Sequence, residues 1–198
     1  MSINPQIMHS AGAIEQHYYA GDYIFREDSS PQYYYQIIEG NVKLCNFSND
    51  GKEFIQNIFS GGSCFGESML LLGKPYPVDA IALTDSTLLK INKEGFIHLM
   101  GTSPEIAIDV CTALSEKTYN KFVLMRKIAN KNAIERLTEV MDMMKEPWGN
   151  KDKYSFEVPH TRQQLASLTG LCVETAIRAI KKMEAKKVVK IRNRKIYY

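Results

Sequence analysis

The stretch from His160 to Lys182, HTRQQLASLTGLCVETAIRAIKK, constrains this chain more than any other. Its apolar spacing describes two short helices joined by a tight turn. Thr161, followed three residues on by Gln164, is a capping-box start. Leu165, Ala166 and Leu168 give the first helix an apolar side. Gly170 stands where that helix must stop, because a residue free to take positive φ ends a helix sharply. The second helix restarts near Val173 and buries Ala176, Ile180 and Met183, leaving Glu174, Ile177, Arg178 and Lys181 on its other face. A helix with a polar, cationic free face has the shape that enters a major groove.

Charge follows the same segment. The whole chain of 198 residues carries a net +3, but residues 1–130 are net −4, residues 131–157 net −1 and residues 158–198 net +8. A merely solvated surface mixes its signs; positive charge gathered on one small module suits a polyanion. Apolar content of 44% and charged content of 24% fit an ordinary globular protein. No apolar run approaches the roughly 18 residues of a membrane span. The start, MSINPQIMHSAGAIEQ, lacks a basic region followed by an apolar one, so no secretory signal is expected. Cys45, Cys64, Cys111 and Cys172 are far apart with no CxxC pair, which points to free thiols in a reducing cytoplasm and to no clustered metal site.

Upstream the pattern is different. From Tyr18 to about Lys93, HYYAGDYIFRED, YYYQIIEGNVKLCNF, KEFIQNIFSGGSCFG and DAIALTDSTLLKIN are strand-like and rich in Tyr, Ile, Val and Phe. GD, SSP, EGN, NDGK and SGGS mark turns between them, and strands so spaced predict a sandwich or barrel. After Gly95 the period becomes helical, with FIHLM a short helix ending near Gly101. Ser103 caps a long helix with Pro104 in its first position and Glu105 in its first turn, running to about Ala129. About 26 helical residues span about 39 Å, too long for a small barrel alone to cover. Ile106, Val110, Ala113 or Leu114, Lys117, Lys121, Leu124 and Ile128 form a near-heptad seam, interrupted by its lysines, which predicts a parallel coiled coil with a second copy. Residues 130–132 read as a hinge. AIERLTEVMDMMKE is a further helix with a core stripe of Leu137, Val140, Met141 and Met144. KYSFEVP reads as a strand, and KKVVKIRNRKIYY as a strand–turn–strand wing with Arg192, Asn193, Arg194 and Lys195 at its tip.

Barrel, long helix and winged helix-turn-helix, in that order, resemble the CRP/FNR family of bacterial transcription regulators. The likeness runs from about Tyr18 to Tyr198, anchored on GSCFGE at Gly62–Glu67, TRQQLASLTGLCVETAIR at Thr161–Arg178 and the terminal wing. It implies an α+β fold in three parts: an effector-sensing β-barrel of jelly-roll type at 1–101, a dimerisation helix at 102–130 and a winged helix-turn-helix at 131–198. It implies a homodimer on a palindromic operator, RNA polymerase as a partner, and no catalysis.

The resemblance also implies site residues. A glutamate and an arginine four positions apart read the half-site in this family and match Glu174 and Arg178. The chemistry agrees, since a carboxylate accepts from cytosine N4 and a guanidinium donates twice to guanine. Val173 is closer to the FNR-type helix than to the cAMP-receptor type, whereas Ile177 departs from the FNR serine; either side chain could touch a thymine methyl. Thr161, Arg162, Gln163, Thr175, Lys181, Arg192 and Arg194 are the remaining candidate DNA contacts.

In the barrel, the implied effector pocket comprises Phe65, Gly66, Glu67, Ser68, Lys74, Tyr76, Lys121 and Phe122. Where cyclic-nucleotide binders carry an Arg-Ser pair for the phosphate, this chain reads KPYPVDA, and no arginine lies between Arg26 and Arg126. Lys121 and Phe122 align with the Thr-Ser pair that meets adenine. Cyclic AMP is therefore not the expected effector, and Glu67 is expected to bond local backbone. A non-cAMP effector, or none, is expected, with a rearranged cyclic-nucleotide pocket as the alternative. No cysteine precedes Cys45 to build an FNR-type cluster, no histidine shows a haem pattern, and no cofactor is expected. A cupin-type enzyme would need histidines that Tyr18–Lys93 lacks. Cys172, at the cap of the recognition helix, is the thiol where oxidation could act on DNA binding.

Overall fold

The computed structural model describes residues 2–48, 51, 53–128, 132–150 and 152–198. Most of the NDGK turn and of the hinge at Asn130–Asn132 lies outside them. The elements run α1 (Pro5–Ser10), β1 (Ile14–Tyr18), β2 (Tyr23–Phe25), β3 (Tyr33–Glu39), β4 (Asn41–Phe47), β5 (Glu53–Ser60), β6 (Cys64–Phe65), α2 (Glu67–Leu72), β7 (Asp79–Ala82), β8 (Ser86–Asn92) and α3 (Lys93–Thr102). The chain continues with α4 (Pro104–Ile128), α5 (Ala133–Lys145), α6 (Arg162–Thr169), α7 (Val173–Ala185), β9 (Lys190–Arg192) and β10 (Lys195–Tyr197). It forms two compact units, Met1–Thr118 and Tyr119–Tyr198.

The first unit is a sandwich of two antiparallel four-stranded sheets, ordered β1-β8-β3-β6 and β2-β7-β4-β5. Two packed sheets fit the expected jelly-roll type, although they are not closed into a barrel: among the described residues the edge strands β1 and β6 do not pair with β2 and β5. Strand alternation explains the apolar run at Tyr33–Ile38. Tyr35 and Ile37, with Leu88 of β8, face the inter-sheet core of Phe25, Val42, Phe65, Tyr76 and Ala80. Tyr34, with Leu89 and Ile91, faces the other way, into a second core closed by Met8, Phe96, Leu99 and Val110. The N-terminus is tied to this core by paired bonds, the Ile3 N–H donating to Gln36 Oε1 at 2.8 Å and Gln36 Nε2 to the Ile3 carbonyl at 2.9 Å.

The long helix begins as expected, with the Ile106 and Ala107 amides donating to the Ser103 carbonyl. Its seam is a correction. Ile106, Val110 and Leu114 pack into the first unit's own core, and Leu124 into the core of the second unit. The helix exposes a different line: Ile108, Cys111, Ser115, Thr118, Phe122 and Met125 recur at intervals of 3, 4, 3, 4 and 3. Ile108 is 65% exposed, Phe122 67% and Met125 61%.

In the second unit, Asn132 and Glu135 form a capping box that starts α5. Leu137, Val140 and Met141 then join Leu165, Ala179, Ile180, Met183, Val189 and Ile196 in one core, so the methionine stripe is core. The strand expected at KYSFEVP shortens to a single bridge, Glu157 to Tyr197. Backbone bonds from Phe156 to Tyr198 and from Val158 to Ile196 keep it against the wing.

Candidate DNA interface and effector domain

The two-helix unit is built by its ends. The Gln164 amide donates to Thr161 Oγ1 and the Thr161 amide to Gln164 Oε1, closing the predicted box. Gly170 takes φ 67° and stops α6, its amide reaching back to the carbonyls of Ala166 and Ser167. Helix α7 then starts at Val173 with Cys172 as its cap. The Cys172 side chain does not cap the backbone; its sulfur lies 2.9 Å from Thr175 Oγ1. Ala176, Ala179, Ile180 and Met183 are buried, which fixes the rotation of the helix about its axis.

That rotation exposes Val173, Glu174, Arg178 and Lys181, with Thr175 and Ile177 half-buried between them. Arg178 does not pair with the Glu174 carboxylate. Its Nε donates to the Glu174 carbonyl at 3.3 Å and an Nη to Thr175 Oγ1 at 3.5 Å. Neither bond is short, and both side chains remain on the solvent face.

The wing turns on Asn193 and Arg194, with φ 47° and 65° between the paired residues Arg192 and Lys195. Positive φ at both central positions makes a two-residue hairpin of the primed type. Arg162 Nη1 donates to the Arg194 carbonyl at 3.2 Å, joining the start of α6 to the wing tip. Glu157 holds Lys195 at 2.5 Å and accepts from the Tyr197 hydroxyl at 3.0 Å, and these two partners lower its pKa. Thr161, Gln163, Arg192 and Arg194 are exposed.

The effector residues of the sequence fall into three groups. Phe65 is buried in an aromatic stack, parallel to Tyr35 at 5.2 Å and to Phe59 at 5.8 Å. Tyr76 is also buried and stacks on Phe25 at 3.6 Å; burial, then the Glu67 charge, raises its pKa and keeps the phenol protonated. Gly66 takes φ 89°, and a Cβ there would stand 3.1 Å from the Tyr33 carbonyl oxygen, so the position needs glycine twice over. Lys74 is exposed and Ser68 half-buried. Lys121 and Phe122 lie in the second unit and are exposed.

Glu67 corrects the expectation most sharply. It is 3% exposed and does not bond local backbone. Lys117 of α4 reaches it, with Nζ 2.6 Å from Oε1, 2.8 Å from the Cys64 carbonyl and 3.6 Å from Cys64 Sγ. Glu67 Oε2 is buried without a partner among the described residues. The sequence showed Lys117 as a fault in a coiled-coil seam; that fault was the only available signal, since a lysine on an apolar line needs a buried acceptor.

Comparison with known proteins agrees with this geometry. Residues 15–103 match the cyclic nucleotide-binding domain and residues 135–198 the Crp-like helix-turn-helix domain. The chain is 24% identical over 165 residues to the cAMP-activated global transcriptional regulator CRP of Haemophilus influenzae, covering 82% of this chain and 73% of that protein. It is 25% identical over 169 residues to the CRP-like protein Clp of Xanthomonas oryzae pv. oryzae, covering 82% and 74%. In fold it is similar to the c-di-GMP-responsive global regulator CLP of Xanthomonas campestris, with a TM-score of 0.80 at 23% identity over 96% of this chain and 95% of that one. A CooA mutant from Carboxydothermus hydrogenoformans gives a TM-score of 0.82 at 14% identity, covering 100% and 87%. Two of these relatives are global regulators by name. Among the described residues no helix is long and apolar enough to cross a membrane.

Proposed function

The chain belongs to the CRP/FNR family of DNA-binding transcription regulators, and on that premise we propose that it works as a homodimer on a two-fold symmetric operator, with its sheet domain answering to a non-cAMP effector or to none. The observation that carries the DNA half is the free face of α7, where Glu174 and Arg178 stand exposed and unpaired with each other. In this reading Glu174 accepts from cytosine N4 and Arg178 donates to guanine O6 and N7. Val173 and Ile177 touch thymine methyls. Thr161, Gln163, Thr175, Lys181, Arg192 and Arg194 contact phosphates, and Arg162 braces the wing while keeping donors for the backbone. RNA polymerase is the partner that such a regulator engages at a promoter.

The effector half rests on Lys117. Its ammonium holds one oxygen of the Glu67 carboxylate that would otherwise receive a ribose hydroxyl, and Tyr76 is stacked into the core where a phosphate-binding arginine would be needed. One of the relatives is cAMP-activated and another c-di-GMP-responsive by name; neither ligand suits this arrangement.

The test is selection of DNA sites from a random library with the wild-type chain and with Arg178→Ala. The wild type should select a two-fold symmetric site. The variant should lose roughly 1–3 kcal/mol of affinity and relax its preference at one G·C pair per half-site. A uniform loss over all sequences would make Arg178 a phosphate contact and overturn the assignment.

A further inference from the structure

The sandwich holds a cleft of about 410 Å³ whose lining includes neither Glu67 nor Lys117. A volume in the range of roughly 300–1,000 Å³ is that of small-molecule sites. Gln16 and Tyr18 of β1, Lys90 of β8, and Tyr33 and Tyr35 of β3 meet there with Phe25 and Tyr76.

The chemistry of this lining is one-sided. Its only charged side chain is Lys90, half-buried, with Nζ 4.6 Å above the Tyr33 ring and no carboxylate partner among the described residues. Tyr18 is 7% exposed and Tyr35 5%, yet neither hydroxyl has a hydrogen-bond partner among the described residues, and neither is sealed from solvent. Burial above all, and then the neighbouring phenols, raise the pKa of Tyr35 and of Tyr18. Both therefore stay protonated at neutral pH and offer O–H donors, whereas the Tyr76 hydroxyl donates to the Tyr33 carbonyl at 3.5 Å. A field of donors around one cation calls for an acceptor-rich anion. The place of a bound cation over Tyr33 is already taken by Lys90. With a single lysine, no arginine and no acidic lining, one negative charge is what the cleft balances. Its walls are aromatic faces, which favour a flat ring.

We infer that this cleft binds a planar aromatic monocarboxylate, held by Lys90 and the Tyr18 and Tyr35 hydroxyls. As the effector of the proposed regulator it would depend on that reading, but binding is measured without DNA, so either can fail alone. The probe is 2-naphthoate, titrated into the full chain by calorimetry beside neutral 2-naphthamide. The expected result is one saturable site for the carboxylate and at least tenfold weaker binding of the amide. Lys90→Met should erase that difference, and Tyr35→Phe should weaken the carboxylate severalfold while the melting temperature stays within that of the wild type. Should Tyr35→Phe unfold, Tyr18→Phe gives the same reading. No saturable binding of 2-naphthoate, equal binding of the amide, or a site that survives Lys90→Met unchanged would each overturn the inference.

Discussion

Glu67 and Lys117 show how one charge can be held in a core. The Glu67 side chain is almost fully buried, whereas Lys117 keeps about a third of its side-chain surface, at 32%. Removing the lysine leaves a buried carboxylate with both oxygens unpartnered, and such breaks cost about 3 kcal/mol. Lys117→Met should therefore lower urea stability by about that amount, and adding Glu67→Gln should recover part of it. Full stability in the single variant would show that the pair contributes nothing. His160, just before the α6 cap, is a second residue with a readable environment. Burial lowers its pKa below 6.5, opposed by its bond to the Pro159 backbone. The folded state thus favours the neutral ring, and the unfolded chain binds more protons below pH 6.5. The stability it contributes is complete above that pH and is lost as pH falls from 6.5 through its lowered folded value. Melting curves of wild type and His160→Gln should converge toward pH 7.5 and separate at pH 5, with the wild type losing more.

At the level of elements, α4 carries two faces with two tasks. One supplies Val110, Ala113 and Lys117 to the first unit. The opposite line, Ile108 to Met125, leaves large apolar side chains in water, which is the pattern of a helix awaiting a partner helix. In a parallel pair the Cys111 sulfurs of two copies face each other across the axis. Mild oxidation should give a disulfide-linked dimer that Cys111→Ser abolishes and Cys172→Ser does not. Phe122→Glu should shift the chain to monomer in sedimentation. A dimer that survives Phe122→Glu and never cross-links through Cys111 would move the interface elsewhere.

On the scale of the whole molecule, each unit has its own core and its own chemistry. The basic unit presents a helix and a wing for a polyanion. The sandwich fills its interior with stacked rings and pairs one Glu67 oxygen with Lys117 from within. Calorimetry with cAMP and with cGMP should accordingly give no heat of binding at ligand concentrations that saturate a micromolar site. Saturable binding by either would restore the rearranged-pocket reading.

Short-range chemistry made much of this legible from the residues alone. Caps, Gly170, the 3.6 period of α7 and the turn-forming Asn193 depend on neighbours within a few positions, so the two-helix unit and the wing could be drawn before any coordinates. The segregation of charge is likewise a property of the chain. Which side of α4 is free was not decidable from its sequence, because two lines of similar hydrophobicity run along it and only the sheet chooses between them. The same holds for Lys117, which looks like an error until Glu67, fifty residues earlier, is folded beneath it. The tyrosine cleft is spread over Gln16 to Lys90 and exists only once β1, β8, β3 and β2 are brought together. Local order follows from local sequence, whereas burial, pairing and cavities are set by contacts between distant parts of the chain. Tertiary structure alone decided those.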